Sequence, residues 1–245
     1  MSEEINRILT EQISDKLYTT ERTAGDNLAR EGIPSNRVCF AGNVMIDSVV
    51  FGRKNARGAK ETLQSMNANP LVLSHPFGYS VVTLHRPSNV DHPEMLRALL
   101  RVLGEVAANL PLVLALHPRT RSNIDRFCLS DLMDTARMVL LPPLGYLEML
   151  GLMAGATVVL TDSGGLQEET TALGGPCLTL RDNTERPITV EQGTNILVGR
   201  DRDVIVGAIQ EILAGRGTRG RVPAFWDGHA AERITAYLYQ WLKQR

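Results

Sequence analysis

From residue 79 onward the chain repeats one unit: a short apolar, β-branched run, a polar turn, then a segment with helical spacing. The runs at 79–84, 112–116, 138–141, 157–160 and 177–180 are apolar nearly throughout, as strands buried on both faces of a parallel sheet must be. Helical segments follow at 93–108, 121–127, 146–154 and 166–173, and a last strand over 196–198 leads to a helix over 202–213. Parallel neighbours need crossovers, and right-handed crossovers give a doubly wound α/β sheet with helices on both faces. Before residue 79 the rhythm is looser. It reads as a helix over 5–13, a strand over 16–19, a helix capped by Thr20 and running to Arg30, a strand over 37–41 and a helix over 44–51. The polar, Gly- and Pro-punctuated stretch 53–79 is expected to hold one short helix and a surface loop, and a helix over 230–243 closes the chain.

Ligands of such sheets bind beyond the carboxyl ends of the strands. The conspicuous polar clusters all fall there: His85-Arg86-Pro87, His117-Pro118-Arg119, residues 142–146, Asp162-Ser163-Gly164-Gly165 and residues 181–187. Their convergence on one rim predicts one shared site. The cluster after the 157–160 strand is the most specific. Asp162 and Ser163 are N-cap residue types, and Gly164 and Gly165 let a ligand approach the backbone. A strand, a small-residue turn and a helix start present N–H groups and the positive end of a helix dipole to an anion. Glu169, one turn on, can reach hydroxyls beside that anion. An ordinary capped turn has the same local sequence, so this motif alone does not decide.

Composition narrows the function classes. A formal net charge of -1 over 245 residues gives no reason to expect nucleic acid or an anionic membrane as partner. The sequence has no apolar run near the length of about 20 residues that spans a bilayer, and its start does not read as a signal peptide, so a cytoplasmic location is expected. Cys39, Cys128 and Cys177 lack metal-ligand spacing and are expected to be buried free thiols. No metal site is expected.

The ordered segments Val82-Thr83-Leu84-His85-Arg86-Pro87-Ser88-Asn89, Leu116-His117-Pro118-Arg119, Pro143-Leu144-Gly145-Tyr146, Thr161 through Glu169, Leu180-Arg181-Asp182-Asn183-Thr184-Glu185-Arg186-Pro187 and Glu191-Gln192-Gly193-Thr194-Asn195 closely resemble the non-hydrolysing UDP-N-acetylglucosamine 2-epimerases of bacteria. The resemblance runs from about Glu3 to the last helix. It implies a Rossmann-like sheet forming the C-terminal half of a GT-B fold. It also implies interconversion of UDP-GlcNAc and UDP-ManNAc by loss and return of UDP through a 2-acetamidoglucal, with no nicotinamide cofactor or metal. By resemblance, Ser163, Gly164 and Gly165 hold the diphosphate, Glu169 accepts from the ribose, Arg186 meets phosphate or sugar oxygens, and His85 donates to the diphosphate as it leaves. His117 and Arg119 join the substrate-binding set, Glu3 takes part in acid–base chemistry at the sugar, and the 142–146 loop touches the uracil. Met149 stands where relatives often carry Phe, so apolar packing is kept there without ring stacking.

The same resemblance implies an N-terminally shortened chain. Residues 1–41 read as the remnant of an N-terminal Rossmann-like domain, 42–226 as the UDP-binding domain, and 227–245 as a helix packing back toward the N-terminal part. Weak UDP binding and no detectable epimerisation are expected of the chain by itself. Relatives are commonly dimers. A GT-B glycosyltransferase, a hydrolysing epimerase and a non-catalytic UDP-sugar-binding module stay open as other readings. Acceptor-dependent UDP release, free N-acetylmannosamine or ligand-dependent association without chemistry would mark each in turn.

Overall fold

The computed structural model describes residues 2–133, 136–217 and 220–244, with the backbone alone for Ser2, Glu3 and Leu71. The elements follow in the order α1 (Ser2–Ile13), β1 (Leu17–Thr19), α2 (Arg22–Arg30), β2 (Val38–Phe40), α3 (Val44–Asn55), α4 (Ala59–Ser65), α5 (Leu71–Ser74), β3 (Ser80–Thr83), α6 (Pro87–Val90), α7 (Pro93–Ala107), β4 (Leu112–Ala115) and α8 (Pro118–Arg126). Then come β5 (Met138–Leu141), α9 (Tyr146–Gly155), β6 (Val158–Thr161), α10 (Gly164–Leu173), β7 (Cys177–Thr179), α11 (Pro187–Glu191), β8 (Asn195–Leu197), α12 (Arg202–Leu213) and α13 (Ala230–Lys243). The chain divides into two compact units, residues 1–51 with 223–245, and residues 52–222.

The first unit is built on a parallel pair, β1 and β2, in the register Leu17↔Val38. Leu17, Leu28 and Ile33 form its small core, with Val38 packed against them. Thr20 does not cap α2. The Ala41 and Gly42 N–H groups both bond the Thr19 carbonyl, which prolongs the strand pairing, and the helix starts later with Glu21 at its N-cap and no side-chain cap. The start of α13 is closed by Asp47, whose carboxylate accepts from the Ala230 and Ala231 N–H groups at 3.0 and 2.7 Å.

The second unit holds the expected doubly wound sheet: six parallel strands in the order β5-β4-β3-β6-β7-β8. Its core joins the strand interiors to α7 and α12. On α7, Leu96, Leu99, Leu100, Leu103 and Val106 are all buried, the spacing of one helical face, each such side chain contributing about 2 kcal/mol by leaving water. The 53–79 stretch carries two helices, α4 and α5, rather than one. The short helices α6 and α11 have no precedent in the sequence pattern, because one turn begun by a proline is too brief to show a period. Among the cysteines only Cys177 is buried, and burial pushes its thiol up to about 11; Cys39 is half-buried and Cys128 exposed. No helix among the described residues is long and apolar enough to cross a membrane.

Candidate functional site

Strands β3 and β6 lie side by side at the middle of the sheet, where the strand order reverses. That reversal opens a crevice in which doubly wound folds hold ligands. The two strands run in register, Val82 beside Leu160 and Thr83 beside Thr161, and the two threonine hydroxyls are bonded at 2.7 Å.

One residue beyond this last rung stands Asp162, fully buried. Its oxygens accept the His85 backbone N–H at 3.0 and 3.1 Å, the Arg86 N–H at 2.9 Å and the Asn89 side-chain amide at 3.1 Å. The His85 ring brings Nδ1 to 2.9 Å of the same carboxylate. Burial alone would raise the Asp162 carboxyl, but the bonds from the His85 ring and the two backbone N–H groups outweigh it and hold the group below the usual range. Asn89 also donates to the Leu180 carbonyl at 3.0 Å and accepts from Arg200 at 2.9 Å, which ties the end of β7 to the same knot.

Helix α10 begins two residues later with Ser163 at its N-cap, and no side chain caps it. The first-turn N–H groups of Gly164, Gly165 and Leu166 have no acceptor within their helix. A Cβ placed on Gly164 would meet only Glu185 Oε2, at 3.8 Å, so the fold itself does not require glycine there. The Glu185 carboxylate bonds the half-buried Arg181 at 2.6 and 2.7 Å and lies 3.9 Å from Arg86 Nη2. These guanidinium groups, Arg181 first through its hydrogen bond, hold Glu185 down at about 2, so the carboxylate beside the glycine turn stays ionised. Arg86 Nε is buried and meets no acceptor among the described residues.

Deeper along α10 lie two buried acids, Glu168 and Glu169. Arg186 brings Nε to 3.1 Å of Glu168. Glu169 is pushed up to about 7, first by burial and then by its neighbour Glu168. Tyr146, at the start of α9, is raised first by burial and then by the Glu169 charge, so the 142–146 loop and Glu169 share one corner. A buried polar chain fastens the 181–187 loop. Gln167 Oε1 accepts from Thr184 at 2.6 Å and from the Asn195 amide at 3.2 Å, and Asn195 Oδ1 in turn accepts from Thr179 at 2.6 Å.

The structure thus brings His85 to the glycine turn's Asp162 and sets Arg186 against Glu168 of α10. His117 joins them, its ring centroid 5.6 Å from that of His85. Arg119 does not turn to the turn's amides: it forms a two-pronged pair with Asp91. The side chain of Glu3 lies outside the described residues. Sequence reasoning treated Asp162 as a helix-cap type and passed over Asn89, Gln167 and Asn195. The signal for Asp162 was present: a carboxylate directly after a wholly buried strand must find several donors.

The chain is similar in sequence and in fold to known proteins. A profile of the family described as UDP-N-acetylglucosamine 2-epimerase matches residues 1–239. The UDP-N-acetylglucosamine 2-epimerase of Methanocaldococcus jannaschii is 39% identical over 97% of this chain, which spans 64% of that protein's length. The UDP-2,3-diacetamido-2,3-dideoxy-D-glucuronate 2-epimerase of Pseudomonas aeruginosa is also 39% identical, over 97% of this chain and 63% of its own length. The crystal structure of the Methanocaldococcus jannaschii UDP-GlcNAc 2-epimerase in complex with UDP-GlcNAc and UDP superposes with a TM-score of 0.82 at 37% identity, covering 98% of this chain and 65% of that one. With these motifs standing in order on this sheet, the chain belongs to the UDP-N-acetylglucosamine 2-epimerase family.

Proposed function

We propose that the protein is a non-hydrolysing epimerase of UDP-acetamido sugars, interconverting UDP-GlcNAc and UDP-ManNAc, and that the crevice between β3 and β6 holds the UDP. The observation that carries this reading is the uncapped start of α10 with Arg86 and Arg181 close by, both acting on Glu185, whose Oε2 lies 3.8 Å from a Cβ placed on Gly164. Donors and field of that kind suit a diphosphate. In this reading Ser163, Gly164 and Gly165 bind the diphosphate, Arg186 meets phosphate or sugar oxygens, and Glu169 accepts from the ribose in the corner beside Tyr146. His85 donates to the diphosphate, and His117 and Arg119 line the outer rim. As the C1–O bond breaks, its electron pair leaves with UDP while the C2 proton passes to a base, giving 2-acetamidoglucal. UDP returns with C2 inverted, and Glu3 serves in the acid–base work. The Pseudomonas aeruginosa relative, equally similar, is named for a diacetamido uronate, which supports reading the sugar as a class of 2-acetamido sugars. A cytoplasmic setting belongs to the same proposal.

Calorimetry with UDP and with uridine tests it. UDP is expected to bind and uridine to bind far more weakly, because the phosphates carry the contact. No heat from UDP at millimolar concentration would overturn the reading. The chain by itself is expected to turn over little or no UDP-GlcNAc, and NMR of whatever sugar does form tests the reaction class: UDP-ManNAc fits the reading, and free N-acetylmannosamine refutes it.

A further inference from the structure

The two rim histidines, their planes tilted by 39°, are held by opposite kinds of partner. Asp162 faces His85 Nδ1 at 2.9 Å, and an ionised carboxylate can only accept, so Nδ1 carries the hydrogen and the neutral ring keeps its lone pair at Nε2. His117 stands at the N-cap of α8, where its Nδ1 accepts the Arg119 backbone N–H at 3.2 Å. That nitrogen must be bare, so neutral His117 carries its hydrogen on Nε2.

The consequence is a division of labour. A proton added to His85 goes to Nε2, leaves the bond to Asp162 intact and sets a charged ring against a buried carboxylate. A proton added to His117 must go to Nδ1, and it breaks the cap on α8. The other charged groups that bear on the pair among the described residues include Arg86, next to His85 in the chain, and Arg181, which acts on Asp162 through its charge. We propose that Asp162 is a positioning residue that makes His85 the proton carrier of the site, while His117 is a fixed Nε2–H donor, both directed at oxygens of a bound diphosphate. The naming of the ligand rests on the proposed function; the tautomers belong to the free protein. In the proton step, a hydrogen on the terminal phosphate of the arriving UDP passes to His85 Nε2, whose lone pair becomes the new N–H bond. The O–H electron pair stays on the phosphate oxygen, and the step reverses when the proton is handed back.

Long-range proton–nitrogen NMR on histidine-labelled protein tests this, with His85→Gln and His117→Gln spectra assigning the signals. With both rings neutral and no ligand present, His85 should show a pyridine-type Nε2 and His117 a pyridine-type Nδ1. The same tautomer in both rings, or the reverse pair, overturns the proposal. Added UDP should turn the His85 Nε2 signal pyrrole-type and leave His117 unchanged. UDP binding that protonates His117, or that leaves His85 unaltered, also overturns it. If UDP fails to bind, the proposed function falls while the free-state tautomers still stand or fail by themselves. In Asp162→Asn the fixed His85 tautomer should be lost and that of His117 kept. Should that variant not fold, the wild-type spectrum decides.

Discussion

Helices α10 and α12 leave the same rim, and an aspartate precedes each, yet the two aspartates spend their oxygens differently. Asp201 turns onto its own helix and accepts the Asp203 and Val204 N–H groups at 2.9 and 3.1 Å, closing the start of α12. Asp162 turns away from α10 and takes the amides of the loop after β3. A side-chain cap is worth about 1 kcal/mol, so α10 forgoes that local stability. Such breaches of local rules concentrate at working sites, and this one leaves free donors where the strand order reverses.

The contrast can be broken most forcefully at its root. Asp162→Ala strands the His85, Arg86 and Asn89 donors in the interior and should cost roughly 3–5 kcal/mol in urea unfolding. An unchanged midpoint would remove Asp162 as the organiser of the rim. Glu169→Gln comes next, since α10 also carries a buried acid pair. Its folded-state pKa of about 7 lies above the ordinary 4.5, so the fold favours the protonated form. That contribution is whole at pH values below 4.5 and drains away as pH rises toward 7. Above that the ionised group opposes folding by on the order of 3 kcal/mol. The glutamine variant should therefore raise Tm at about pH 8 and leave it unchanged at about pH 4. A gain of equal size at both pH values would rule out the buried charge of Glu169 as its cause.

Two smaller effects sharpen the comparison. Gly164→Ala should keep or slightly raise stability, because the added methyl has room, yet weaken UDP about tenfold, near 1.4 kcal/mol, by crowding the open amides. Undiminished UDP affinity would mean that the amides are not the seat of the phosphates. Asp201→Ala should do the reverse, lowering stability by about 1 kcal/mol with UDP affinity intact. Titration calorimetry beside thermal melts would show whether the two helix starts are separable in this way.

What could be read from the residues divides along the same line. The bounds of α12 and α13 fall where spacing puts them, because a cap and an amphipathic face are local signals. The convergence of polar strand ends was legible too, since every parallel strand points the same way. The neighbourhood of β3 and β6 was not: nothing in either strand says which partner lies beside it. Asp162 shows the cost of that blindness. Locally it looks like a cap, and only the non-local pairing reveals the amides of His85 and Arg86 waiting for it. The ion pair of Arg119 was hidden for a similar reason, as its partner Asp91 sits in a different βα unit. Single-turn helices such as α11 give too few residues for any pattern to emerge.

The hydroxyl bridge between Thr83 and Thr161 has a kinetic consequence. It seams the floor of the crevice, so the two central loops are anchored at a point that cannot part without unzipping the sheet. The 181–187 segment is tied to α10 through side chains, Thr184 to Gln167 and Arg186 to Glu168, rather than through a strand ladder. Slow amide exchange is expected of the floor and faster exchange of the 181–187 segment, which hydrogen-exchange NMR would read.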